Sequence, residues 1–252
     1  MPKKKSILLF LIINIFNFSA AQTETPLQQA KDLYAQGKYA QTVEIYENLL
    51  KTSEVAPELY YNLGNAYFKQ NQIARAILNY ERALRLAPNY ADARHNLVFV
   101  QQKVVDNIPD YGSFFLVRWL ENIVNLCNSN VWLYVSFALF LSSLIFAFVF
   151  IFGGKYRLRK TSFYIALLCF IISILTLFFA NIQKNKILNR NAAIIMDAAV
   201  TVKSSPDKSG TDLFLLHEGT KIVVVDRLNY WVEIKLANGN TGWIEQHTIE
   251  II

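Results

Sequence analysis

The residues of this chain that could carry out chemistry are few and far apart. Its 252 residues include three histidines, His95, His217 and His247, and two cysteines, Cys127 and Cys169. Nucleophilic catalysis needs a nucleophile beside a base, and metal binding needs several His, Cys or carboxylate ligands close together. The sequence shows neither spacing, and it has no phosphate-binding loop or paired-carboxylate motif. We therefore expect no enzyme, no metal site and no cofactor, and we interpret both cysteines as small apolar fillers.

Composition and charge indicate a membrane protein rather than a nucleic-acid-binding protein. The net charge is +6, but 53% of the residues are hydrophobic and 17% are charged, whereas soluble domains have about 25% charged residues. Residues 22–110 hold nine basic and ten acidic side chains, and residues 191–252 hold five basic and eight acidic ones. The positive excess therefore lies beside the apolar segments and does not predict a nucleic-acid partner.

Residues 1–21 have the pattern of an export signal. Three lysines at 3–5 precede the charge-free segment Ile7–Phe18, and small residues at 19–21 precede Gln22. The apolar segment is too short to span a bilayer, which needs about 20 residues. An uncleaved N-terminal anchor is the alternative. Both interpretations place the chain from residue 22 onward outside the cytoplasm.

Two later segments are long and apolar enough to be transmembrane helices. Residues 131–152 and 163–182 contain no charged side chain, and each would cover a hydrocarbon core of about 30 Å. The intervening residues 153–162 are predicted to form a basic loop, which is typical of the cytoplasmic side. Its topology-determining side chains are Lys155, Arg157, Arg159 and Lys160. With an exported N-terminus, the modules before and after the two spans face the same compartment, the periplasm.

Residues 113–127 are predicted to form an amphipathic helix. Arg118, Glu121, Asn122 and Asn125 fall on one side, and apolar residues fill the rest. Such a helix could lie in the membrane interface or pack on the two spans, and the sequence leaves both open.

The segment 22–110 contains a repeat with a period of 34 residues, which indicates helical hairpins. Tyr39, Tyr46 and Leu50 align with Ile73, Tyr80 and Leu84. The second unit resembles the tetratricopeptide family, and that resemblance implies that small residues sit where helices cross while aromatic residues fill the space between repeats. The residues that match the family's packing positions are Leu63, Gly64, Tyr67, Ala76, Tyr80, Ala83 and Pro88.

Resemblance to this family also implies a concave groove that binds an extended peptide or a partner helix. Leu27 and Asp92 stand where members that bind a terminal carboxylate have lysine, so that activity is not expected. A spacer role, or packing of the array on its own membrane helices, is the alternative. The predicted groove residues are Leu27, Lys31, Tyr34, Tyr61, Asn62, Asn65, Phe68, Lys69, His95 and Phe99.

Residues 192–252 are predicted to form a small all-β barrel of about five strands. Asn238-Gly239 between two β-prone segments is a hairpin signal. The segments 200–206, 218–219 and 242–244 resemble bacterial SH3-like domains. That resemblance implies binding of peptides or cell-wall material, with a packing role for the aromatic residues as the alternative. The predicted surface residues are Tyr230, Trp231 and Trp243.

The whole chain is thus predicted to be a multi-domain membrane protein: all-α tetratricopeptide hairpins, two transmembrane helices and a small all-β SH3-like barrel. In this order of segments it resembles the BatE-like family encoded in aerotolerance operons. That resemblance implies a non-enzymatic inner-membrane scaffold, with von Willebrand factor A-domain membrane proteins as partners and a role in oxidative-stress tolerance. A cell-wall-binding accessory of an envelope enzyme or of an export system, with peptidoglycan as its ligand, is the alternative.

Overall fold

The computed structural model describes residues 25–52, 56–106, 108, 115–188 and 190–252; the predicted export signal lies outside them. Within the described residues the chain forms eight α-helices followed by seven β-strands. The helices are α1 (Pro26–Ala35), α2 (Tyr39–Thr52), α3 (Pro57–Lys69), α4 (Ile73–Leu86), α5 (Ala91–Gln101), α6 (Phe115–Val124), α7 (Ser129–Phe152) and α8 (Tyr156–Leu188). The strands are β1 (Ala192–Ile195), β2 (Ala199–Lys203), β3 (Asp212–His217), β4 (Lys221–Leu228), β5 (Trp231–Lys235), β6 (Thr241–Glu245) and β7 (Ile249–Ile251).

Helices α1 to α4 form two consecutive helical hairpins, and α5 adds a single helix to them. Thr25 caps α1, accepting a hydrogen bond from the Gln28 backbone N–H at 3.3 Å, and proline opens both α1 and α3, where no N–H is needed. Gly37 and Asn71 take positive φ in the two turns between paired helices. Helix α5 ends at Gln101, whereas the sequence suggested helix to about residue 106.

The second hairpin packs tightly because a small residue lies where its helices cross. A Cβ atom on Gly64 would lie 2.8 Å from Cε1 of Tyr80, whose side chain is 1% exposed. Ala76 and Ala83 are fully buried on α4, and Leu63 and Tyr67 are buried on α3. Pro88 follows the end of α4. All seven predicted packing positions therefore lie within or at the end of the second hairpin.

Helices α7 and α8 pack against each other along their length as a hairpin. Ser136 and Ser173 exchange hydrogen bonds across it: each hydroxyl donates to the other's backbone oxygen, at 2.8 and 2.9 Å. Both helices are long and apolar enough to cross a membrane, by length and composition. Only 11% and 28% of the residues in their most apolar 18-residue stretches are buried, so the described residues leave most of the hairpin surface uncovered.

The boundaries of the hairpin differ from the sequence prediction. The predicted basic loop 153–162 is mostly helical, because α8 begins at Tyr156 and continues unbroken to Leu188. The connection is therefore Gly153 to Lys155, and the other predicted topology residues, Arg157, Arg159 and Lys160, lie on the first turns of α8. Neither glycine nor proline follows Gly154 in this segment, so nothing interrupts the helix once it starts.

Helix α6 covers part of the predicted segment 113–127 and attaches to the hairpin at its last residue. Val124 is the buried residue of α6. The backbone oxygen of Val124 accepts hydrogen bonds from Trp132 Nε1 at 2.9 Å and from Gln183 Nε2 at 2.8 Å. Leu116, Trp119 and other apolar residues of α6 are exposed. Its apolar side is therefore not packed on the two long helices.

The C-terminal region is one antiparallel sheet in the order β3-β2-β6-β5-β4-β1-β7. The β5–β6 hairpin turns at the predicted Asn238-Gly239, where Gly239 has a φ of 90°. Alternating residues of the strands point inward, including Val232 and Ile234 of β5 and Ile244 of β6, all fully buried. The sheet has seven strands rather than about five, because the segment from residue 192 splits into β1 and β2 and the last residues add β7.

Candidate protein-binding groove and sheet surface

The concave face of the helical repeats forms a groove lined by aromatic side chains. It is a pocket of about 410 Å³ between α1, α3, α4 and α5. The rings of Phe68 and Phe99 meet edge to face, with centroids 5.8 Å apart, and Lys103 Nζ lies 6.0 Å from each of them. Half of the Phe99 side chain is exposed. This rim offers apolar contact beside a positive charge.

The floor of the groove is a network of hydrogen bonds between amides and phenols. Tyr80 donates to Asn65 Oδ1 at 2.7 Å, and Asn96 Nδ2 donates to the same oxygen at 2.9 Å. Burial raises the pKa of Tyr80, so its hydroxyl stays protonated and keeps its role as a donor. Amide side chains held in this way can pair with the backbone of an extended peptide.

The structure brings most of the predicted groove residues together. Leu27, Lys31 and Asn62 are not among the residues that line the pocket. Asn96 and Val100 line it without having been predicted, and so does Tyr80, which was predicted as a packing residue. Asn96 lies one period of 34 residues after Asn62, so extending the predicted groove to the third unit would have included Asn96, although Asn62 itself does not line the pocket. The predicted residues that line the pocket are Tyr34, Tyr61, Asn65, Phe68, Lys69, His95 and Phe99.

The β-sheet packs on α4, on the side away from this groove. Ile194 and Ile252 join the hydrophobic core that contains Ile77 and Leu78 of α4. Gly219, with a φ of 85° in the β3–β4 turn, lies so close that an added Cβ would be 2.9 Å from Val104 Cγ2 and 3.1 Å from Ile77 Cδ1. Glycine is therefore required at this position, because the turn needs a positive φ and the close contact leaves no room for a side chain.

Charged pairs surround the apolar contact between the sheet and the repeats. Lys221 Nζ lies 2.8 Å from Glu81 Oε2, and Arg82 Nη2 lies 2.9 Å from Glu250 Oε1 and donates to the Ile251 backbone oxygen at 2.7 Å. Glu81 and Arg82 are one and two residues beyond Tyr80 on α4, so their side chains do not point into the groove that Tyr80 lines. No residue of the sheet is among those that line the groove, so the sheet leaves it open.

Asp106, which follows the end of α5, adds hydrogen bonds to the contact between the repeats and the sheet. Its carboxylate accepts hydrogen bonds from the His217 backbone N–H at 2.6 Å and from the Thr220 hydroxyl at 2.6 Å, and it lies 2.7 Å from His217 Nδ1. Burial alone would raise the pKa of Asp106, but the hydrogen bonds from Thr220 and His217 outweigh it, and the net pKa lies below its ordinary value. His217 therefore takes part in a structural contact.

The outer face of the sheet carries the predicted aromatic residues. Trp231 pairs with Glu245, and Trp243 pairs with Glu233, on adjacent strands β5 and β6, so the four side chains share the outward face. Tyr230 in the preceding turn is 84% exposed. Trp231 lines a shallow pocket of about 300 Å³, which Lys203 and His247 also line although the sequence did not single them out for it.

The three histidines lie in different parts of the described structure, and His217 is the one at the contact with Asp106. His95 lines the groove, and His247, in the short 3-10 turn between β6 and β7, has its Nδ1 3.2 Å from Glu245 Oε2. No group of three or more His, Cys, Asp or Glu side chains in the described ranges could hold a metal ion.

Fold and surfaces together define a helical-repeat module coupled to a small antiparallel β-domain, with two apolar helices between them in sequence. Comparison with known families assigns the modules. Residues 30–71 match the TPR repeat family and residues 57–90 the Tetratricopeptide repeat family, and residues 198–250 match the Bacterial SH3 domain family. No curated protein matches the chain. The chain thus contains tetratricopeptide repeats and a bacterial SH3 domain, as the sequence predicted.

Proposed function

We propose that the protein is a non-enzymatic membrane scaffold that holds exported protein partners beside the bilayer. Tetratricopeptide repeats and bacterial SH3 domains support protein–protein interaction and wall binding as the general function. In this proposal the α7–α8 hairpin spans the inner membrane, and both modules face the periplasm. By its resemblance to BatE-like proteins, the scaffold serves oxidative-stress tolerance together with von Willebrand factor A-domain membrane proteins.

The open groove is the observation that carries the proposal. The SH3-like sheet occupies the back of α4, so the aromatic and amide side chains of the groove remain available to a partner. Phe68 and Phe99 give apolar contacts, and Asn65 and Asn96 can pair with peptide N–H and C=O groups. An extended segment of a partner protein matches this combination.

The membrane placement is supported by the long helices and by α6. Most large apolar side chains of α7 and α8 point outward and are exposed, as for Phe137 of α7 and Leu168 of α8, and such a surface is stable in lipid. The apolar side of α6 is also exposed, with Trp119 at 63%. In the proposal α6 therefore lies in the membrane interface, one of the two alternatives that its sequence left open.

A variant at the rim of the groove tests partner binding. Replacing Phe99 with alanine together with Lys69→Gln removes the exposed ring and one charge, and neither side chain is buried. We expect co-purification of A-domain membrane proteins with the tagged full chain from detergent extract to fall at least tenfold, since a ring buried by a partner contributes about 2 kcal/mol.

The matched control is Tyr230→Ala, which removes an aromatic residue of the SH3-like domain that is more exposed than Phe99, at 84% against 50%. It should leave the amount of co-purified partner unchanged. Recovery of the same A-domain proteins with the groove variant and the unaltered chain would rule out the groove as their binding site. Equal melting temperatures of the two variants show that both are folded.

Wall binding is the second candidate function, and the exposed face with Tyr230, Trp231 and Trp243 favours it. Aromatic faces beside polar groups suit stacking on sugar rings and peptide stems. If this surface binds the wall, the detergent-solubilised chain will sediment with purified peptidoglycan. Tyr230→Ala will then release most of it, whereas the groove variant will sediment normally. Absence of the unaltered chain from the pellet would reject this function and leave the groove proposal intact.

A further inference from the structure

A basic pocket lies where the helical repeats, the sheet and the C-terminal end of α8 meet. Its volume is about 410 Å³. Among its lining residues in the described chain, the one acidic side chain is Glu81, and Glu81 already pairs with Lys221 at 2.8 Å. The basic side chains that line it are Arg85, Arg94, Lys186, Arg190 and Lys221.

Four of the five basic side chains of this pocket form no ion pair within the described part of the chain. None of the ion pairs found there involves Arg85, Arg94 or Arg190. The Nε atom of Arg85 is buried without a hydrogen-bond partner, although its Nη1 donates to the Ile252 backbone oxygen. Burial, and then repulsion from Arg190, lower the pKa of Arg85. Like charges are thus crowded around an open space that an anion would fill.

The position of the pocket on α8 points to the source of that anion. The predicted span in α8 ends at Ile182, and with a rise of 1.5 Å per residue Gln183 and Lys186 lie about 1.5 and 6 Å beyond it. The headgroup layer of a bilayer is about 5–8 Å thick on each side. Gln183 and Asn125, which line the pocket with Lys186, join α6 to α8 through a hydrogen bond of 3.0 Å. The mouth of the pocket is therefore at headgroup depth.

We propose that this pocket binds the phosphate of an anionic phospholipid headgroup. Arginine presents several N–H donors to phosphate oxygens, and lysine adds a mobile charge, which together suit a phosphodiester. The lipid would link the repeats, the sheet and α8, because each contributes basic side chains to the same anion. The inference rests on the proposed membrane placement, since a phosphate could otherwise come from solution.

Native mass spectrometry of the full chain in neutral detergent tests the site. The chain is titrated with phosphatidylglycerol, with phosphatidylcholine of the same acyl chains, and with inorganic phosphate. We expect tighter binding of phosphatidylglycerol than of the other two. Lys186→Gln with Arg190→Gln should weaken phosphatidylglycerol binding about 25-fold, because each basic side chain near a lipid surface contributes about a fivefold change in affinity.

The matched control is Arg157→Gln with Lys160→Gln, which removes two charges from the first turns of the same helix, at the opposite boundary. It should keep the affinity of the unaltered chain. Equal loss in both double variants would mean diffuse attraction of lipids and would overturn the site. Equal binding of the two lipids would overturn it too. Competition by inorganic phosphate at the concentration of the lipid would assign a soluble phosphate and reject the lipid.

The site and the membrane placement can fail separately. Alkaline carbonate extraction of cell membranes reports the placement alone: a chain that stays in the pellet is inserted whether or not it prefers phosphatidylglycerol. An inserted chain without that preference refutes the site. Release of the chain into the supernatant refutes the placement, and the lipid source with it.

Discussion

Replacing Asp106 with alanine will loosen the SH3-like sheet from the helical repeats. The carboxylate is 13% exposed and serves two donors on His217 and one on Thr220. Truncation leaves these donors unpaired in a buried contact, and we expect a loss of about 3 kcal/mol. Hydrogen exchange of the full chain in detergent measures it: the His217 amide should lose about 100-fold protection.

Asp197→Ala is the control for this prediction. Asp197 is an exposed aspartate in the turn between β1 and β2, so its removal should leave exchange at His217 unchanged. Equal protection in the Asp106 and Asp197 variants would show that the apolar contact of Ile77 with the sheet holds the two modules together without the carboxylate.

The Asp106 carboxylate should also make the contact between the sheet and the repeats less stable at acid pH. The pKa of Asp106 lies below its ordinary value of 3.8 in the folded chain. Its contribution is therefore complete above about pH 4 and is lost as the pH falls through the lowered value. Melting temperatures of the unaltered chain should fall more steeply below pH 4 than those of Asp106→Asn, which has no charge to lose. Parallel curves would contradict the role assigned to the charge.

Replacing Gly64 with leucine will disrupt the second tetratricopeptide hairpin. The first added carbon alone would lie 2.8 Å from Cε1 of Tyr80 and 3.3 Å from the Ala76 backbone oxygen. The Tyr80 ring is buried and tied to Asn65, so it cannot move aside freely. We expect α3 and α4 to lose about 3 kcal/mol of stability, measured by hydrogen exchange of their amides.

A graded series separates crowding from helix propensity. Gly64→Ala should lose about 1 kcal/mol, because alanine recovers about 1 kcal/mol of helix propensity while its methyl group still crowds Tyr80. Ala40→Leu, at an exposed position of α2, adds three of the four carbons that Gly64→Leu adds, but without crowding, and should change stability by less than about 0.5 kcal/mol. A Gly64→Leu variant as stable as Ala40→Leu would mean that the helices do not need this close approach.

The repeats could be predicted from the sequence because their packing is local and periodic. Gly64, Ala76 and Tyr80 come together within one hairpin, and the period of 34 residues fixes which faces meet. The groove was predictable for the same reason, although the prediction left out Asn96, which lies one period after the predicted Asn62. Leu27 and Lys31, in contrast, were placed by analogy in the first unit, where the described structure does not bring them to the pocket.

The contact between the two modules could not be predicted from the sequence. Asp106 and His217 are 111 residues apart, and neither belongs to a motif. Gly219 is readable as a turn residue, but nothing in the sequence shows that Ile77 and Val104 face it. The sequence underestimated the length of α8 for a different reason. Charged residues mark where a helix leaves an apolar environment, but the helix itself continues until a residue interrupts its backbone hydrogen bonds.

Because α8 is unbroken, it is stiff enough to transmit force along its length. Its 33 residues extend about 50 Å, well beyond a hydrocarbon core of about 30 Å, and β1 begins four residues after its end. In the proposed topology, a force applied to Arg157 or Lys160 on the cytoplasmic side would travel along a stiff rod to the base of the SH3-like sheet. Asp106 joins the sheet to the repeats by hydrogen bonds, so the force would reach the module that contains the peptide groove.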